Sequence, residues 1–536
     1  MNFNTLAFPL FFAVCAFFCW VCPSKLRPYG LLLASYGFYC YQPGNRKLIF
    51  FLLFVTVVTW TCGLLLNAKD RLVRQIILWC GILSCLAPLI FFKQFSYFYT
   101  LFFGTKPAAD KILFPLGISY FTFQGLSYLI DRYRKKYRAE RNLFRYALFV
   151  SFFPCIFTGP IERYDHLMPQ LCKRPHFQYN MAAGGAFRML WGYFKKMVLA
   201  DHLVAFVEAY YMGATKTISG PVAATAAILF TLQLYLEFSG SCDMAIGGAH
   251  MMGIELLENF KNPFLATSFA DLWRRWHISL TSWFRDYIYI SLGGNRKGLP
   301  RWAINTLIVF GVSGIWHGLD WGYLFWGLAC GAIVVLEQLP ARIRRLQQTP
   351  VHTAVPATVG APAPVTTPSR TRVIRRADNT ADGMQSFSHA SAHTHTQTSR
   401  REMRQAKNKH PFSSVTVWLR RALVFTEFAL CFILFAQSLY ASGFAPSGFA
   451  ALFSGWGPAG FAALQTALQA AKLTGTIAYV LVLGIGMVLA IESHGDVAVW
   501  IRRQHFVVRW ILYYVLLLAI LFFGVFGKSS FIYNNY

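Results

Sequence analysis

Two histidines lie within strongly apolar parts of this sequence, and their neighbours suit acid–base chemistry. His277 follows Trp276, and His317 lies between Trp316 and Gly318. A side chain that can carry charge is costly in hydrocarbon, so ionisable residues in membrane segments usually mark function. Imidazole has an unperturbed pKa of about 6.5, which lets it take up and release a proton near neutrality. The two segments therefore predict proton transfer at membrane depth, with His317 as the stronger candidate.

The polar residues around His277 allow two interpretations. The ring of His277 could be purely structural, bonded to a backbone carbonyl or to Asp243. Arg274 and Arg275 carry forked donors that suit an anionic group, such as the phosphates of a thioester carrier. The same two arginines could instead anchor a helix end at the lipid headgroups. The residues alone leave these alternatives open.

The composition indicates that membrane helices position these residues. Hydrophobic residues make up 56% of the chain and charged residues 13%, too apolar a balance for one soluble core. Many segments stay apolar over the length that a bilayer requires, and from them we predict an all-α polytopic membrane protein with roughly ten to thirteen membrane helices. We interpret the first segment, 6–22, as a retained helix and not as a signal peptide.

The stretch from 233 to 305 is more polar than plain membrane spans tolerate. Glu237 and Asp243 lie on either side of Gly240, where we predict a break in the helix. Irregular backbone at membrane depth persists only where protein or a water-filled cavity satisfies it. Residues 269–292 mix tryptophan and tyrosine with arginine and histidine, which favours a re-entrant or interfacial element. We expect such re-entrant elements to surround a central cavity or funnel.

The formal net charge of +28 lies in short basic clusters between apolar spans, so we interpret it as a set of topology signals and not as a nucleic-acid site. Lys25 and Arg27 follow the first span, which places them in the cytoplasm and the N-terminus outside. The densest basic cluster, 132–145, is also predicted to be cytoplasmic. A docking face for an acidic partner or an anionic lipid is the alternative for that cluster.

Residues 341–412 depart from the membrane pattern. Proline, alanine, threonine, serine and arginine dominate this segment, a composition that does not build a packed core. We predict a disordered, basic cytoplasmic insertion. It separates an N-terminal transmembrane bundle, 1–340, which carries the reactive core, from C-terminal helices, 413–536, which complete the bundle.

Several blocks of this sequence, in order between residues 110 and 330, carry a family resemblance. They include Pro115–Gln124, Phe238–Gly240, Asp243–Gly247, Trp273–Leu280, Arg285–Tyr287, Leu292–Arg296 and Gly314–Gly318. Together they resemble the membrane-bound O-acyltransferase superfamily, in its bacterial branch of alginate O-acetylases, peptidoglycan O-acetyltransferases and teichoic-acid D-alanyl transfer proteins. Glu237 and Ser241-Cys242 depart from the usual family residues, which affects the identity of the acyl acceptor and not the class.

The resemblance implies an O-acyltransferase of the bacterial cytoplasmic (inner) membrane. It would move an acyl group, preferably acetyl, from a cytoplasmic thioester donor, acetyl-CoA or an acyl carrier, toward a cell-envelope polysaccharide such as peptidoglycan or an alginate-like exopolysaccharide. In that family the histidine matching His317 is the essential catalytic residue and the one matching His277 is a second site residue. We assign substrate or donor binding to six further residues: Arg274, Arg275, Trp276, Ser279, Asp243 and Trp316.

The expected surroundings of the reaction follow from the same resemblance. An extracytoplasmic acetyltransferase or SGNH-hydrolase-like protein is the expected partner, besides membrane lipid and the glycan, and we expect no bound cofactor or metal. D-alanyl transfer to teichoic acid is the alternative within the family. A proton-coupled transporter is the alternative from another class, and a catalytically inactive export scaffold is a third.

The aromatic C-terminus contains one further candidate residue. Tyr533 lies in the weaker family match at residues 531–533. Its phenol could carry the acyl group briefly as an ester, if the C-terminus lies outside, and so divide one difficult transfer into two. The alternative is that these aromatic residues anchor the last helix at the membrane interface.

Overall fold

The computed structural model describes residues 7–41, 45–104, 114–157, 159–173, 176–215, 218–348, 414–440 and 447–527. All regular structure within these ranges is helical, which confirms the predicted all-α membrane fold. The chain forms two compact units, residues 1–340 with 421–536 as one and residues 341–420 as the other. The candidate site lies entirely in the first unit.

The α-helices are numbered in chain order. They are α1 (Ala7–Val21), α2 (Arg27–Tyr41), α3 (Asn45–Leu65), α4 (Arg71–Lys93), α5 (Phe95–Phe103), α6 (Ile118–Tyr133), α7 (Leu143–Ser151), α8 (Phe153–Phe157), α9 (Tyr164–Cys172), α10 (Tyr179–Tyr193), α11 (Asp201–Tyr211), α12 (Gly220–Met251), α13 (Phe269–Arg275), α14 (Ile278–Phe284), α15 (Gly298–His317), α16 (Trp321–Gln348), α17 (Ser414–Tyr440), α18 (Ser447–Ala450), α19 (Pro458–Ala470), α20 (Thr476–Glu492), α21 (Val497–Arg502) and α22 (Phe506–Phe523). Two π-helical turns, Phe194–Ala200 and Arg285–Tyr289, continue α10 and α14.

Six of these helices are long and apolar enough to cross a membrane: α3, α4, α12, α16, α17 and α22. Three shorter apolar stretches, in α1, α7–α8 and α20, accompany them. The prediction of ten to thirteen membrane elements exceeds these nine, because other predicted spans, such as α2, α6 and α15, are helical without the length and apolarity of a plain span. Within the apolar window of α12, 72% of residues are buried, against 6% in α22, so α12 is a central helix and α22 a peripheral one.

Helix α12 is unbroken, so the predicted break at Gly240 is wrong. Its glycines serve helix packing instead. A Cβ atom at Gly240 would lie 2.9 Å from the carbonyl oxygen of Gly192, and one at Gly247 would lie 2.5 Å from that of Gly185. Small residues permit this close backbone approach between membrane helices. Helices α10 and α12 therefore form a tightly packed pair.

The carboxylates of α12 are neutralised by lysines of the first π-helical turn. The Lys195 ammonium lies 2.6 Å from Asp243 and 2.8 Å from Glu492 of α20, and the Lys196 ammonium lies 2.9 Å from Glu237. A buried charge is tolerated when it is paired and hydrogen-bonded. The polarity of α12 thus reflects ion pairs between helices and not an irregular backbone.

Two arginines predicted as cytoplasmic topology signals are buried in the structure. Arg27 donates to the carbonyl oxygens of Gln170 and Met252, each at 3.2 Å, and Arg132 donates to Asn67 at 2.8 Å. Arginine near a helix end can satisfy the last carbonyls of that helix. These two residues therefore join helix ends as well as carrying charge.

Helix α16 continues to Gln348, so residues 341–348 are helical and do not belong to a disordered segment as predicted. Residues 341–348 contain arginine, leucine and glutamine, which are good helix formers and extend α16 past residue 340. Residues 349–413 lie outside the described residues, as does Tyr533.

Candidate active site

His317 is the last residue of α15, and aromatic rings surround it. Its ring centroid lies 4.4 Å from that of Trp316, 4.8 Å from Phe435 and 5.3 Å from Trp326. Only 6% of the residue is exposed. The apolar surroundings favour the neutral form of an imidazole, which is the form that can accept a proton.

Residues 315–319, the His317 turn, are fastened by a side chain from the end of α4. The Gln94 amide donates to the carbonyl oxygen of Ile315 at 3.3 Å and accepts from the backbone N–H of Leu319 at 2.7 Å. The adjacent Lys93 ammonium lies 4.6 Å from the centroid of the Trp316 ring. The sequence analysis missed both residues, because they lie more than 200 positions from His317 and match no motif.

Close packing of α15 against α16 places His317 next to the second of these helices. A Cβ atom at Gly314 would overlap the backbone carbonyl of Tyr323, and one at Gly327 would overlap that of Phe310. At Gly318 a Cβ would lie 2.8 Å from the Tyr323 ring. The glycines flanking His317 are therefore required by packing, as in other close helix crossings.

The predicted re-entrant segment is three short helical pieces, and His277 lies at the first joint, between α13 and α14. Its backbone adopts a left-handed conformation with φ of +42°, which non-glycine residues rarely adopt. The ring Nδ1 lies 3.1 Å from the Asn259 side-chain oxygen. Among the described residues, Asn259 takes the place of both predicted structural partners, a backbone carbonyl and Asp243.

His277 and His317 line one small chamber of about 70 Å³. That volume admits a few water molecules or a group of acetyl size, since one water molecule needs about 10–15 Å³ of cavity volume. The chamber is lined by Trp273, Trp276, His277, Leu280, Thr281, Phe284, Val309, Phe310, Ser313, His317, Trp326, Phe432 and Phe435. The structure thus brings together the two histidines predicted to carry the chemistry.

An open cleft of about 240 Å³ borders this chamber. Trp273, Thr281, Val309 and Phe310 line both spaces. Two further cleft residues are arginines with largely exposed side chains, Arg274 at 72% and Arg285 at 63%. Exposed guanidinium groups that line the cleft suit an anionic group of a molecule whose other end enters the chamber.

Asp243 and Arg275 line a different, larger cavity of about 480 Å³. Asp243 accepts hydrogen bonds from Arg188 at 2.8 Å and pairs with Lys195. Arg275 pairs with Asp271 at 2.8 Å. The structure does not place either residue in the histidine chamber, so the predicted binding set is divided between two cavities.

The other predicted binding residues support the histidines. Trp276 lines the chamber, and Trp316 packs beside His317. The Ser279 hydroxyl donates to Asn259 at 2.8 Å and accepts from the backbone N–H of Ile161 at 3.0 Å. Ser279 is therefore already occupied by contacts within the protein.

Comparison with known proteins identifies a family for part of the chain. Residues 132–361 match the family model described as MBOAT, the membrane-bound O-acyltransferase family. This part of the chain is a membrane-bound O-acyltransferase domain. Both histidines, Asn259 and the two cleft arginines lie within the acyltransferase domain, whereas Gln94, Phe432 and Phe435 lie outside it.

Several curated relatives are similar to the chain. The Pseudomonas aeruginosa protein named "Probable alginate O-acetylase AlgI" is 36% identical over 329 residues, 59% of this chain and 61% of that protein. A Helicobacter pylori peptidoglycan O-acetyltransferase is 33% identical over 56% of this chain and 62% of its own length. A Bacillus subtilis teichoic acid D-alanyltransferase is 28% identical over 40% of this chain and 56% of its own length. The chain spans less than two thirds of the length of these relatives.

Proposed function

We propose that this protein transfers a short acyl group, acetyl, from a thioester donor to a hydroxyl group within the histidine chamber. The observation that carries the proposal is the meeting of His277 and His317, from separate segments of the acyltransferase domain, in one small aromatic chamber. The chamber volume favours a short acyl group over a long chain. Aromatic walls exclude the water that would otherwise hydrolyse a thioester.

The reaction uses His317 as a general base. The acceptor hydroxyl oxygen attacks the thioester carbonyl carbon while His317 takes the hydroxyl proton, and the carbon–sulfur bond then breaks. The proton passes to the departing thiolate, so that an ester and a free thiol are the products. A positioned base of this kind contributes about 10² to 10⁴ in rate.

The donor enters through the cleft. Acetyl-CoA and acyl carriers both bear phosphate groups, and the cleft residues Arg274 and Arg285 suit these groups. The four residues shared by cleft and chamber give the thioester end a direct route to the histidines. On this proposal the arginine pair that binds the donor is Arg274 with Arg285, and Arg275 serves the larger cavity.

The cleft faces the cytoplasm in this proposal. Arg134, from the basic cluster assigned to the cytoplasm, donates to the backbone oxygen of Asp286 at 3.0 Å, next to the cleft arginine Arg285. Helix α4 begins at this side, since Arg74 donates to the Tyr133 carbonyl at 2.6 Å. Its other end carries the residues that fasten the His317 turn. A donor can therefore arrive from inside while His317 lies toward the outer surface.

The acceptor is a cell-envelope polysaccharide of a bacterium, reached with the help of an extracytoplasmic SGNH-hydrolase-like partner. Support comes from the relatives named for alginate and peptidoglycan O-acetylation, which match with higher identity than those named for D-alanyl transfer. The protein itself lies in the inner membrane on this proposal.

The experiment that tests the function compares envelope polysaccharide from cells with and without this protein. We expect ester-linked acetate to fall to background without it and ester-linked D-alanine to stay constant. Loss of D-alanine with constant acetate would replace acetyl transfer by D-alanyl transfer. If neither ester changed, the protein would not be an envelope acyltransferase.

A further inference from the structure

The side-chain oxygen of Asn259 lies at the centre of the contacts around His277. The Ser279 backbone N–H and hydroxyl donate to it, at 3.2 and 2.8 Å, and His277 Nδ1 lies 3.1 Å away. We infer that Asn259 is a positioning residue that holds His277 with its proton on Nδ1 and its lone pair on Nε2. The consequence for catalysis rests on the proposed function, whereas the assignment of the proton to Nδ1 does not.

The contacts identify which atom of the Asn259 amide faces the histidine. A backbone N–H can only donate, so the amide atom opposite the Ser279 N–H must be the oxygen. The amide nitrogen lies on the other side, 3.3 Å from the Cys242 sulfur. Since a carboxamide oxygen only accepts, the hydrogen between it and the imidazole must belong to His277 Nδ1.

The backbone supports the same arrangement. The Ile278 N–H donates to the Asn259 carbonyl at 2.9 Å, and the Lys261 N–H donates to the Arg275 carbonyl at 3.0 Å. Asn259 thus satisfies two N–H groups at the start of α14, where a helix has no internal acceptors. These contacts flank His277 on both sides and maintain its left-handed backbone. Asn259 is fully buried, so water does not compete for its oxygen.

The assignment gives His277 a definite role. With the proton on Nδ1 directed at Asn259, Nε2 is the nitrogen left for the chamber that His277 lines. A neutral imidazole in this form accepts a hydrogen bond through Nε2 and cannot donate one there. His277 therefore accepts a hydrogen bond from a neighbouring hydroxyl of the acceptor, while the proton of the reacting hydroxyl goes to His317. In this form His277 does not stabilise a developing oxyanion as a neutral donor.

Two variants of Asn259 separate positioning from simple packing. Asn259→Leu keeps the approximate volume and removes the acceptor, and we expect kcat with [¹⁴C]acetyl-CoA to fall by about 10- to 100-fold, the usual effect of losing a partner that orients a histidine. Asn259→Asp retains an acceptor oxygen and should restore most of this loss. The negative charge of the new aspartate should shift the low-pH limb of the pH–kcat profile to higher pH, because the carboxylate stabilises protonated His277.

A double-mutant cycle shows whether Asn259 acts through His277. In the His277→Ala background, Asn259→Leu should cause no further loss of kcat. Asn305→Leu is the matched control, because Asn305 is also fully buried and its amide donates to the Gly294 carbonyl at 3.0 Å, away from the histidine. Its effect should be the same with and without His277. Additive losses for Asn259→Leu and His277→Ala would overturn the inference.

A spectroscopic measurement tests the inference independently of activity. Histidine ¹⁵N chemical shifts of the labelled full-length protein in detergent, with His277 assigned by comparison with His277→Gln, report which nitrogen carries the proton. We expect the Nδ1-protonated form in the wild type. This measurement does not depend on whether any Asn259 variant folds. An Nε2-protonated His277 would overturn the inference even if acyl transfer were confirmed. Conversely, the Nδ1 form in a protein without acyl transfer would contradict only the proposed function.

Discussion

At the scale of single residues, the two candidate catalytic histidines lie among polar partners that are remote in the sequence. Tryptophan and glycine neighbours identify His317 as unusual in an apolar segment, and the structure places it in the chamber. Gln94 and Asn259 bear no such signal, since a buried amide resembles any other until the fold shows what it contacts. The sequence therefore identifies the candidate catalytic histidines and misses the side chains that contact them.

The role of Gln94 leads to a prediction at this scale. Gln94→Ala should leave the Ile315 carbonyl and Leu319 N–H without their partner, a cost of about 1–3 kcal/mol in the free energy of unfolding. Acyl transfer should fall about tenfold or more, because looser residues around His317 misplace the base. Thermal unfolding and initial rates in detergent measure both effects. Gln504→Ala, which removes a partly buried amide donating to Trp500, should change neither.

At the scale of secondary-structure elements, glycine shows why a sequence pattern can mislead. A Ser-Gly pair flanked by carboxylates predicts a broken helix, yet α12 is continuous. Helix α10 covers its glycines, and the π-helical turn after α10 supplies lysines to its carboxylates. Whether a glycine ends a helix or allows another helix to approach depends on the partner helix. That partner cannot be read from α12 alone.

Substitution of the packing glycines tests this account of α12. Gly247→Ala should lower the unfolding temperature, since the added Cβ would lie 2.5 Å from the Gly185 carbonyl oxygen and 2.7 Å from the Met189 nitrogen. Overpacking of this kind costs about 1–3 kcal/mol. Gly486→Ala in α20 is the matched control, because no atom lies within 4 Å of its added Cβ. Alanine's better helix propensity should leave that variant unchanged or slightly stabilised. Equal stability of both variants would contradict close α10–α12 packing.

At the scale of the whole molecule, the composition predicts the fold class, but the order of residues along the chain does not show which helices form the site. Apolar segments of membrane length predict the all-α fold, and the motifs between residues 110 and 330 indicate the acyltransferase domain. The chamber, however, is completed by Phe432 and Phe435 of α17, which lie beyond the long polar insertion. Local sequence patterns carry no information about which distant helix closes a cavity.

The measurement that tests the central claim most directly is ester-linked acetate on envelope polysaccharide in cells that carry only the His317→Ala protein. Removing the base should lower acetate to the level of cells without the protein, a loss of about 10²-fold or more. The amount of membrane-inserted protein should stay normal, because the chamber loses one small ring. His494→Ala, which removes an exposed histidine, should retain wild-type acetate. Wild-type acetate in the His317→Ala cells, at normal protein level, would contradict His317 as the catalytic base.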